Sequence, residues 1–328
     1  MMLDDGFLSV VIPVYNEENN ILNILTCLEQ QTLSGYEVVI VDDGSTDNTV
    51  ELIESFQPQT FNIKLLKQNN AGAARARENA IYASKGDYIA FIDCDDSIDG
   101  STLEQAITPI VKDKSVNISL FKLISLENIK DSNKKKFDYY TDLFCVTGKD
   151  AFSQCISSWG LHGFGIFKRS ILIDSYNTYY KYNTKKTNCL NNDEVITRIC
   201  FSNAEKIYLS EGEYYFITNP ASTTRRVNKN YYKVIYNAFY LNQYILSNTF
   251  NEDAHQEVAK LIISTIWGVA IRYFKWRKYF SREEKKEWYR TIREGTQTIK
   301  KINKERNFTI NKKSFIQLYT LYYLFIKP

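Results

Sequence analysis

Histidine is scarce in this chain of 328 residues, which contains only His162 and His255. A zinc site built from several histidines, or a relay of histidine acid–base groups, is therefore nearly excluded. Cysteine occurs six times, but no two cysteines have the Cys-x-x-Cys spacing of a metal or redox motif. Carboxylates must carry most of the chemistry, and we predict a reducing, cytoplasmic compartment.

A strong net charge, a signal peptide and a membrane-spanning run are also missing. The formal net charge of +3 is too small to indicate a nucleic-acid partner, and we predict none. The N-terminus lacks the basic, apolar and small-residue order of a signal peptide. The most apolar helical segment, 258–276, is interrupted by Lys260 and Arg272, so no transmembrane helix is predicted.

The first hundred residues alternate between patterns that are typical of strands and of helices. Segments with helical spacing separate four apolar runs, which are 8–14, 37–41, 62–66 and a run that begins at Tyr88. Four strands alternating with three helices predict an α/β fold with a mostly parallel, doubly wound sheet. Ligands bind such sheets beyond the carboxyl ends of the strands.

Polar residues follow the predicted strands at that edge. The first strand ends in "PVYNEE", the second in "DDGSTD" and the fourth in "DCDD", while "NNAGAARAR" begins the third crossover. We therefore expect Tyr15, Asp43 and Arg77 to converge on the carboxylates Asp93 and Asp95. Neighbouring carboxylates repel each other unless a cation lies among them, which favours a divalent metal. Together these side chains would suit a nucleoside diphosphate.

Four segments resemble, in order, the motifs of the family 2 glycosyltransferases with the GT-A fold, an inverting group that builds polysaccharides from nucleotide sugars. They are "VVIPVYNEE", "VVIVDDGSTD", "NAGAARARENAI" and "GDYIAFIDCDD". The resemblance implies that 93–95 is the family's DxD motif, in which Asp95 binds Mn²⁺ or Mg²⁺. It also implies a nucleotide-sugar site formed by Pro13, Tyr15, Glu17, Asp43, Arg77, Asp93, Cys94 and Asp95.

The helix that carries Arg77 departs from the family pattern. Glu78 stands where the family usually has asparagine, and Ala80 stands where glycine is common. Neither change removes a metal ligand. Both concern the geometry with which Arg77 would reach a diphosphate.

A second acidic position lies in "NDEVITRICF", which predicts a helix that begins near Asn192 or Asp193. An acid at a helix start is commonly a cap, and that interpretation stays open. The resemblance implies instead the family's acceptor-side motif, with Asn192 in place of a glutamate and Asp193 as the catalytic base. Contacts to the acceptor or diphosphate are expected from four further residues, Asp96, Trp159, His162 and Arg225. For His162, local packing is the alternative.

The last hundred residues have helical spacing throughout. We predict a catalytic domain at 1–225, with a nucleotide-sugar half at 1–100 and an acceptor half at 101–225, and a helical region at 226–328. Ser281 and Glu284 predict a capping box. The tail "SFIQLYTLYYLFIKP" either packs on the helical region or, with "RYFKWRKYF", lies on an anionic membrane surface. The same aromatic surface would also suit a second copy of the chain.

These observations predict a metal-dependent hexosyl- or N-acetylhexosaminyltransferase. By resemblance, the donor is a nucleoside diphosphate sugar, with UDP as the default, and the acceptor is a saccharide or a polyprenyl-linked saccharide. We expect the protein to be cytoplasmic, and the C-terminal tail suggests peripheral binding to the membrane as an alternative. A sugar nucleotidyltransferase is an alternative, but it would need a basic, glycine-rich loop where "PVYNEE" is acidic. A non-catalytic relative would normally have lost its DxD motif or its base.

Overall fold

A computed structural model gives the fold of this chain and describes residues 1–2, 6–127, 134–217, 226–306 and 311–327. Its strands, in chain order, are β1 (Leu8–Val14), β2 (Tyr36–Asp42), β3 (Phe61–Lys67), β4 (Tyr88–Phe91), β5 (Ser97–Ile98), β6 (Val116–Leu126), β7 (Lys135–Lys136), β8 (Cys145–Thr147), β9 (Gly165–Lys168) and β10 (Lys206–Ile217).

The helices are interspersed with the strands as far as α7, and four more follow β10. They are α1 (Ile21–Glu29), α2 (Thr49–Ser55), α3 (Ala73–Ala83), α4 (Thr102–Lys112), α5 (Gly148–Cys155), α6 (Arg169–Tyr182), α7 (Asn192–Asn203), α8 (Val234–Leu246), α9 (Glu252–Trp276), α10 (Arg282–Arg306) and α11 (Lys312–Phe325). The strands and helices predicted within the first hundred residues are confirmed.

The chain divides into two compact units. The sheet unit comprises Met1–Phe152, Gly160–Asn177 and Ile199–Asn219, and the helical unit comprises Ser153–Trp159, Thr178–Arg198 and Pro220–Pro328. Each unit therefore contains segments that are distant in the sequence. The predicted domain division at residue 225 stays a prediction.

The sheet has the strand order β3-β2-β1-β4-β9-β6-β10-β5. Strands β3, β2, β1 and β4 are parallel neighbours, and β6 and β10 are also parallel. Between them, β9 runs antiparallel to both β4 and β6. The sheet is thus mostly parallel with an antiparallel insertion, and the carboxyl ends of β1, β2 and β4 lie at one edge.

The core of the sheet unit follows directly from the apolar runs. Val10, Ile12, Val38 and Ile40 are fully buried in one cluster with the apolar face of α1. Continuous apolar runs are typical of strands that are covered on both faces. The turn before β4 packs so closely on β1 that a Cβ atom at Gly86 would lie 2.5 Å from the amide nitrogen of Ser9.

The helical unit has a core of its own, formed by the apolar faces of α8 to α11. Trp288, Ile292 and Leu321 are fully buried there. The predicted capping box is confirmed, because Glu284 N–H donates to Ser281 Oγ at 3.2 Å and Ser281 N–H donates to Glu284 Oε2 at 2.7 Å. Among the described helices, none is both long and apolar enough to span a bilayer.

The C-terminal helix α11 has two apolar faces. Leu318, Leu321 and Phe325 pack against α9 and α10, which confirms that the tail packs on the helical region. The other face is exposed and consists of Phe315, Ile316, Tyr319, Tyr323 and Leu324. Packing within the unit therefore accounts for only one of these faces.

Candidate active site

Hydrogen bonds join the loops that follow β1 and β2. Asn16 has a φ of 56°, in the left-handed region that asparagine tolerates better than most residues. Its Oδ1 accepts the N–H of Thr46 at 2.8 Å, and its own N–H donates to Ser45 Oγ at 2.9 Å. Glu17 N–H donates to Thr49 Oγ1 at 2.8 Å. Because the two strands are parallel neighbours, the polar loops that follow them lie side by side and are joined by these hydrogen bonds.

Asp43 binds a third loop, the one between β3 and α3, to the loop that follows β2. Its buried carboxylate accepts hydrogen bonds from Gln68 Nε2 at 2.7 Å, Ala71 N–H at 2.7 Å and Gly72 N–H at 2.8 Å. Two of these donors are backbone groups of the loop between β3 and α3. The contacts show a loop-fixing role for Asp43, beside the role in base recognition that the resemblance implies.

Gly44 lies where two of these loops pack closely against each other. Its φ is +80°, and a Cβ atom there would lie 3.2 Å from the amide nitrogen of Asn70. Glycine adopts positive φ without the steric cost that other residues meet. Backbone geometry therefore accounts for glycine at this position.

The acidic cluster Asp93, Asp95 and Asp96 follows β4, and its first carboxylate pairs with an arginine. Arg77 Nη2 lies 2.6 Å from Asp93 Oδ1. Glu17 lies within electrostatic range of the same cluster: burial raises the pKa of its carboxyl, a hydrogen bond from Asn20 lowers it, and the charges of Asp95, Asp47 and Asp93 raise it further. The structure thus pairs Arg77 with Asp93 and places Glu17 within electrostatic range of Asp93 and Asp95.

The two departures in α3 are accommodated within the helix. Buried Glu78 pairs with Arg75, whose Nη1 lies 2.5 Å from Glu78 Oε2, so the extra carboxylate has its own cation. Ala80 is fully buried. Arg77 remains on the side of Asp93.

A tyrosine that the sequence analysis did not single out holds the acidic turn in place. Tyr214 OH accepts the N–H of Asp93 at 3.1 Å and donates to Asp96 Oδ2 at 2.6 Å, while Asp96 Oδ1 accepts the N–H of Ile217 at 2.9 Å. Burial, with the charge of Asp93, raises the pKa of Asp96 to about 8. Buried Asp96 therefore connects the acidic turn to β10 through hydrogen bonds.

The other predicted nucleotide residues differ in exposure. Pro13 is half-buried within β1, and Tyr15 is 47% exposed just beyond it. Cys94 is buried and packs in the apolar core, and burial raises the pKa of its thiol. Its side chain faces the core, so any nucleotide contact by Cys94 would involve its backbone.

His162 is buried among aromatic rings in the sheet unit. Its Nε2 lies 3.0 Å from Tyr139 OH, and its Nδ1 accepts the N–H of Phe164 at 3.2 Å. Burial lowers the pKa of the imidazole to about 3. Both ring nitrogens have protein partners, so local packing accounts for this histidine.

Arg225, another residue expected to contact the diphosphate or acceptor, lies outside the described residues.

Asp193 lies exposed in the first turn of α7. The two residues before this helix, Leu190 and Asn191, have φ values of 53° and 43°. Left-handed conformations cost about 1–2 kcal/mol each for ordinary residues. Buried Asn237 holds the strained turn by donating from Nδ2 to the carbonyl of Leu190 at 2.5 Å. The start of α7 is therefore fixed by tertiary contacts.

Trp159 lies in the helical unit beneath an arginine of α7. The guanidinium carbon of Arg198 is 3.9 Å from the ring centroid of Trp159, and Arg198 Nε donates to the carbonyl of Cys155 at 2.6 Å. The sequence analysis did not identify Arg198 as functional. The available signal was a lone arginine within the apolar stripe of α7, four residues after Glu194.

Comparison with known proteins places this architecture in a family. Residues 9–175 match the family model described as glycosyl transferase family 2. A poly(ribitol-phosphate) beta-glucosyltransferase of Bacillus spizizenii is 30% identical over 217 residues, which are 64% of this chain and 32% of that relative. Three other curated relatives are covered over 16% to 44% of their length. The chain thus spans less than half of these proteins.

Two solved structures share the fold. TarS 1–349 of S. aureus, in complex with UDP-GlcNAc, has a TM-score of 0.63 and 22% identity over 89% of this chain and 81% of that one. Mannosyltransferase PcManGT of Pyrobaculum calidifontis, in complex with GDP-Man and Mn²⁺, has a TM-score of 0.51 and 14% identity over 99% and 89% of the two chains. These likenesses confirm the predicted GT-A fold.

Proposed function

The chain belongs to glycosyltransferase family 2, and from that premise we propose that it transfers a sugar from a nucleoside diphosphate sugar to a hydroxyl group. The expected donor is a UDP-sugar, and the acceptor is a saccharide or polyprenyl-linked saccharide of a cell-surface polysaccharide. One observation carries the proposal: beyond the strand ends, Arg77 of α3 pairs with Asp93 at 2.6 Å, within electrostatic range of Glu17 and next to Asp95 in the chain.

The carboxylates fit a divalent metal that is shared with the substrate. Within the described residues, no group of three or more histidine, cysteine, aspartate or glutamate side chains could hold a metal by itself. Mg²⁺ sites with phosphate substrates commonly use one or two carboxylates, and substrate oxygens complete the shell. Asp95, the last carboxylate of the DxD motif, would hold Mn²⁺ or Mg²⁺, beside Asp93, which pairs with Arg77. The bound ion would offset negative charge on the departing diphosphate.

The loops at the strand ends supply the remaining donor contacts. Exposed Tyr15 offers a ring face for the nucleobase, and Asp43 fixes the loop between β3 and α3. Arg77, which Asp93 holds at 2.6 Å, contributes positive charge toward the phosphates. Preorganised charges of this kind are commonly the largest contribution to rate in transfer reactions.

Asp193 is proposed as the general base. Its carboxylate would accept the proton of the acceptor hydroxyl as the oxygen attacks the anomeric carbon from the face opposite the diphosphate. An α-linked donor would then give a β-linked product. The exposed position in the first turn of α7 and the fixed loop before it support this role.

The exposed face of α11 is proposed to bind an anionic membrane surface. Phe315, Tyr319 and Tyr323 lie on this face, and exposed Lys312 and Lys313 lie at its start. Aromatic and basic side chains together favour the interface of an anionic bilayer. Sedimentation with anionic vesicles should fall for a Phe315→Ser, Tyr319→Ser double variant. It should be unchanged for Tyr82→Ser, an exposed tyrosine of α3, and equal loss in both would contradict this role.

Donor turnover tests the transferase proposal. The purified chain is incubated with UDP-, GDP- and dTDP-sugars, each with Mn²⁺ or with chelator, and the released nucleoside diphosphate is measured. Metal-dependent release from one nucleotide class, with a β-linked product by NMR, is the expected result. Release from no donor under either condition, with a library of saccharide acceptors present, would contradict the proposal.

A further inference from the structure

The helical unit contains a cavity of about 210 Å³ that none of the predicted site residues lines. Its polar lining comes from α7 and Asn191 just before it, from α9, and from α8 and the segment before α8. The charged side chains that line it are Glu194, Arg198 and Arg272. Two cations and one carboxylate give this small space an excess of positive charge, which favours an anionic ligand.

Arg198 is the innermost of these charges. Only 3% of its side chain is exposed, and it donates through Nε to the carbonyl of Cys155 and through Nη1 to the carbonyl of Glu194 at 2.8 Å. Within the described part of the chain, Nη2 has no protein acceptor. Because Arg198 lines the cavity, an anion bound there can accept a hydrogen bond from its guanidinium group, and charged donors make strong hydrogen bonds to anionic acceptors.

Arg272 has the same arrangement on another helix. Its guanidinium carbon lies 4.3 Å from the ring centroid of Tyr231, and Nη1 donates to the carbonyl of Gly268 at 3.3 Å. In each arginine, an aromatic ring covers a face of the guanidinium plane. The N–H edges remain for hydrogen bonds, and these edges match the oxygens of a phosphate or carboxylate.

Among the described residues that line the cavity, Glu194 is the only acid, and its single negative charge does not neutralise the charges of both arginines. Its Oε2 lies 3.7 Å from Arg198 Nη1, and its Oε1 accepts a hydrogen bond from Asn191 Nδ2 at 3.0 Å. Burial raises the pKa of the Glu194 carboxyl. Protonating this group therefore costs less than usual, which reduces its repulsion of an incoming anion.

The cavity lies beside the proposed base. Arg198 folds back along α7 to the carbonyl of Glu194, one residue after Asp193. Burial lowers the pKa of Arg198, while the charges of Glu194 and Asp193 raise it, so the Asp193 carboxylate lies within electrostatic range of the guanidinium group. A group bound at the two arginines would therefore hold its neighbouring hydroxyls near Asp193.

We propose that this cavity binds an anionic group, a phosphate or a carboxylate, carried by the sugar or polyol acceptor. The inference rests on the proposed transferase function. It adds to that function an acceptor class: a polyol phosphate or an acidic sugar in place of a neutral saccharide. Arg198 and Arg272 would provide the two N–H edges that hold the anion.

The test uses calorimetric titration of the full chain, saturated with UDP and Mn²⁺. The probes are glycerol 3-phosphate, D-glucuronate and neutral D-glucose. We expect one of the two anions to bind and glucose not to bind, and the anion that binds identifies the charged group. Binding of neither anion, or displacement of UDP by them, would overturn the proposal.

Matched variants assign the binding to this cavity. Arg272→Gln removes one cation whose hydrogen bond is to its own helix, and Gly268→Leu places a side chain in the cavity without a backbone clash. Each should weaken anion binding at least tenfold. Arg277→Gln, which removes an exposed arginine over Phe274, should leave it unchanged. Equal anion affinity in Arg272→Gln and the unaltered chain would overturn the assignment.

The readouts separate this proposal from the transferase proposal. UDP binding should be the same in Arg272→Gln and Gly268→Leu as in the unaltered chain, because their residues lie in the helical unit and the nucleotide residues in the sheet unit. If UDP itself does not bind, the donor-site proposal fails, and anion titration without UDP still tests the cavity.

Discussion

The strand-end site of the sheet unit and the cavity of the helical unit are both polar, but they are assembled in different ways. At the strand ends, Asp43 and Asn16 receive backbone N–H groups from neighbouring loops. In the cavity, Arg198 and Arg272 are held by aromatic rings from separate segments. Sheet topology positions the first site, whereas the packing of distant helices positions the second. Substitutions should therefore affect the two regions differently.

A large loss of transfer rate is expected from Asp95→Ala in the sheet unit. Loss of a metal ligand removes charge stabilisation of several kcal/mol, and about 4 kcal/mol corresponds to a rate loss of about 10³-fold. The transfer rate under saturating donor measures this. Glu51→Ala, which removes an exposed acid of α2, should have no effect. A full rate in Asp95→Ala would show that the metal is held elsewhere.

Asp193→Asn should separate turnover from binding. Removing a general base typically lowers the rate by about 10²–10⁴-fold, while UDP affinity should stay within about twofold. Asp253→Asn is the matched control, because Asp253 is also an exposed acid in the first turn of a helix. Equal effects of the two changes would mean that Asp193 acts as a helix-end charge rather than as a base.

Asp43→Asn tests the loop-fixing role that distinguishes the strand-end site. The amide nitrogen of asparagine would face an N–H donor where a carboxylate oxygen now accepts one. We expect a loss of about 1–3 kcal/mol in the free energy of unfolding, measured by urea denaturation. The exposed Asp142→Asn should change it by less than about 0.5 kcal/mol. An unchanged stability in Asp43→Asn would contradict the role.

The same glycine substitution should have opposite signs in the two units. Gly44→Ala forces a side chain into a positive φ beside Asn70, and should cost about 1–2 kcal/mol of stability. Gly268→Ala lies within α9, where the added Cβ has room, and should stabilise the chain by about 0.5–1 kcal/mol. Thermal unfolding measures both shifts. Shifts of the same sign would contradict the backbone geometry described for one of the two glycines.

The contrast also explains what could be predicted from the sequence. The strand-end residues occur in short motifs because consecutive strands deliver them to one edge, so Arg77 and Asp93 were expected to meet and do so. The four-residue strand β9, inserted between β4 and β6, leaves too short a pattern to reveal its place. The approach of Arg272 to Tyr231, 41 positions away, depends on helix packing, which local periodicity does not encode.

Calorimetric titration of the purified chain with UDP, with Mn²⁺ and with chelator, tests the central claim most directly. The account predicts saturable binding of UDP that requires the metal, because Asp95 and the diphosphate would share the ion. Binding of equal strength in chelator would contradict the shared metal site. If neither UDP nor another nucleoside diphosphate bound under either condition, the strand-end cluster would not be a donor site.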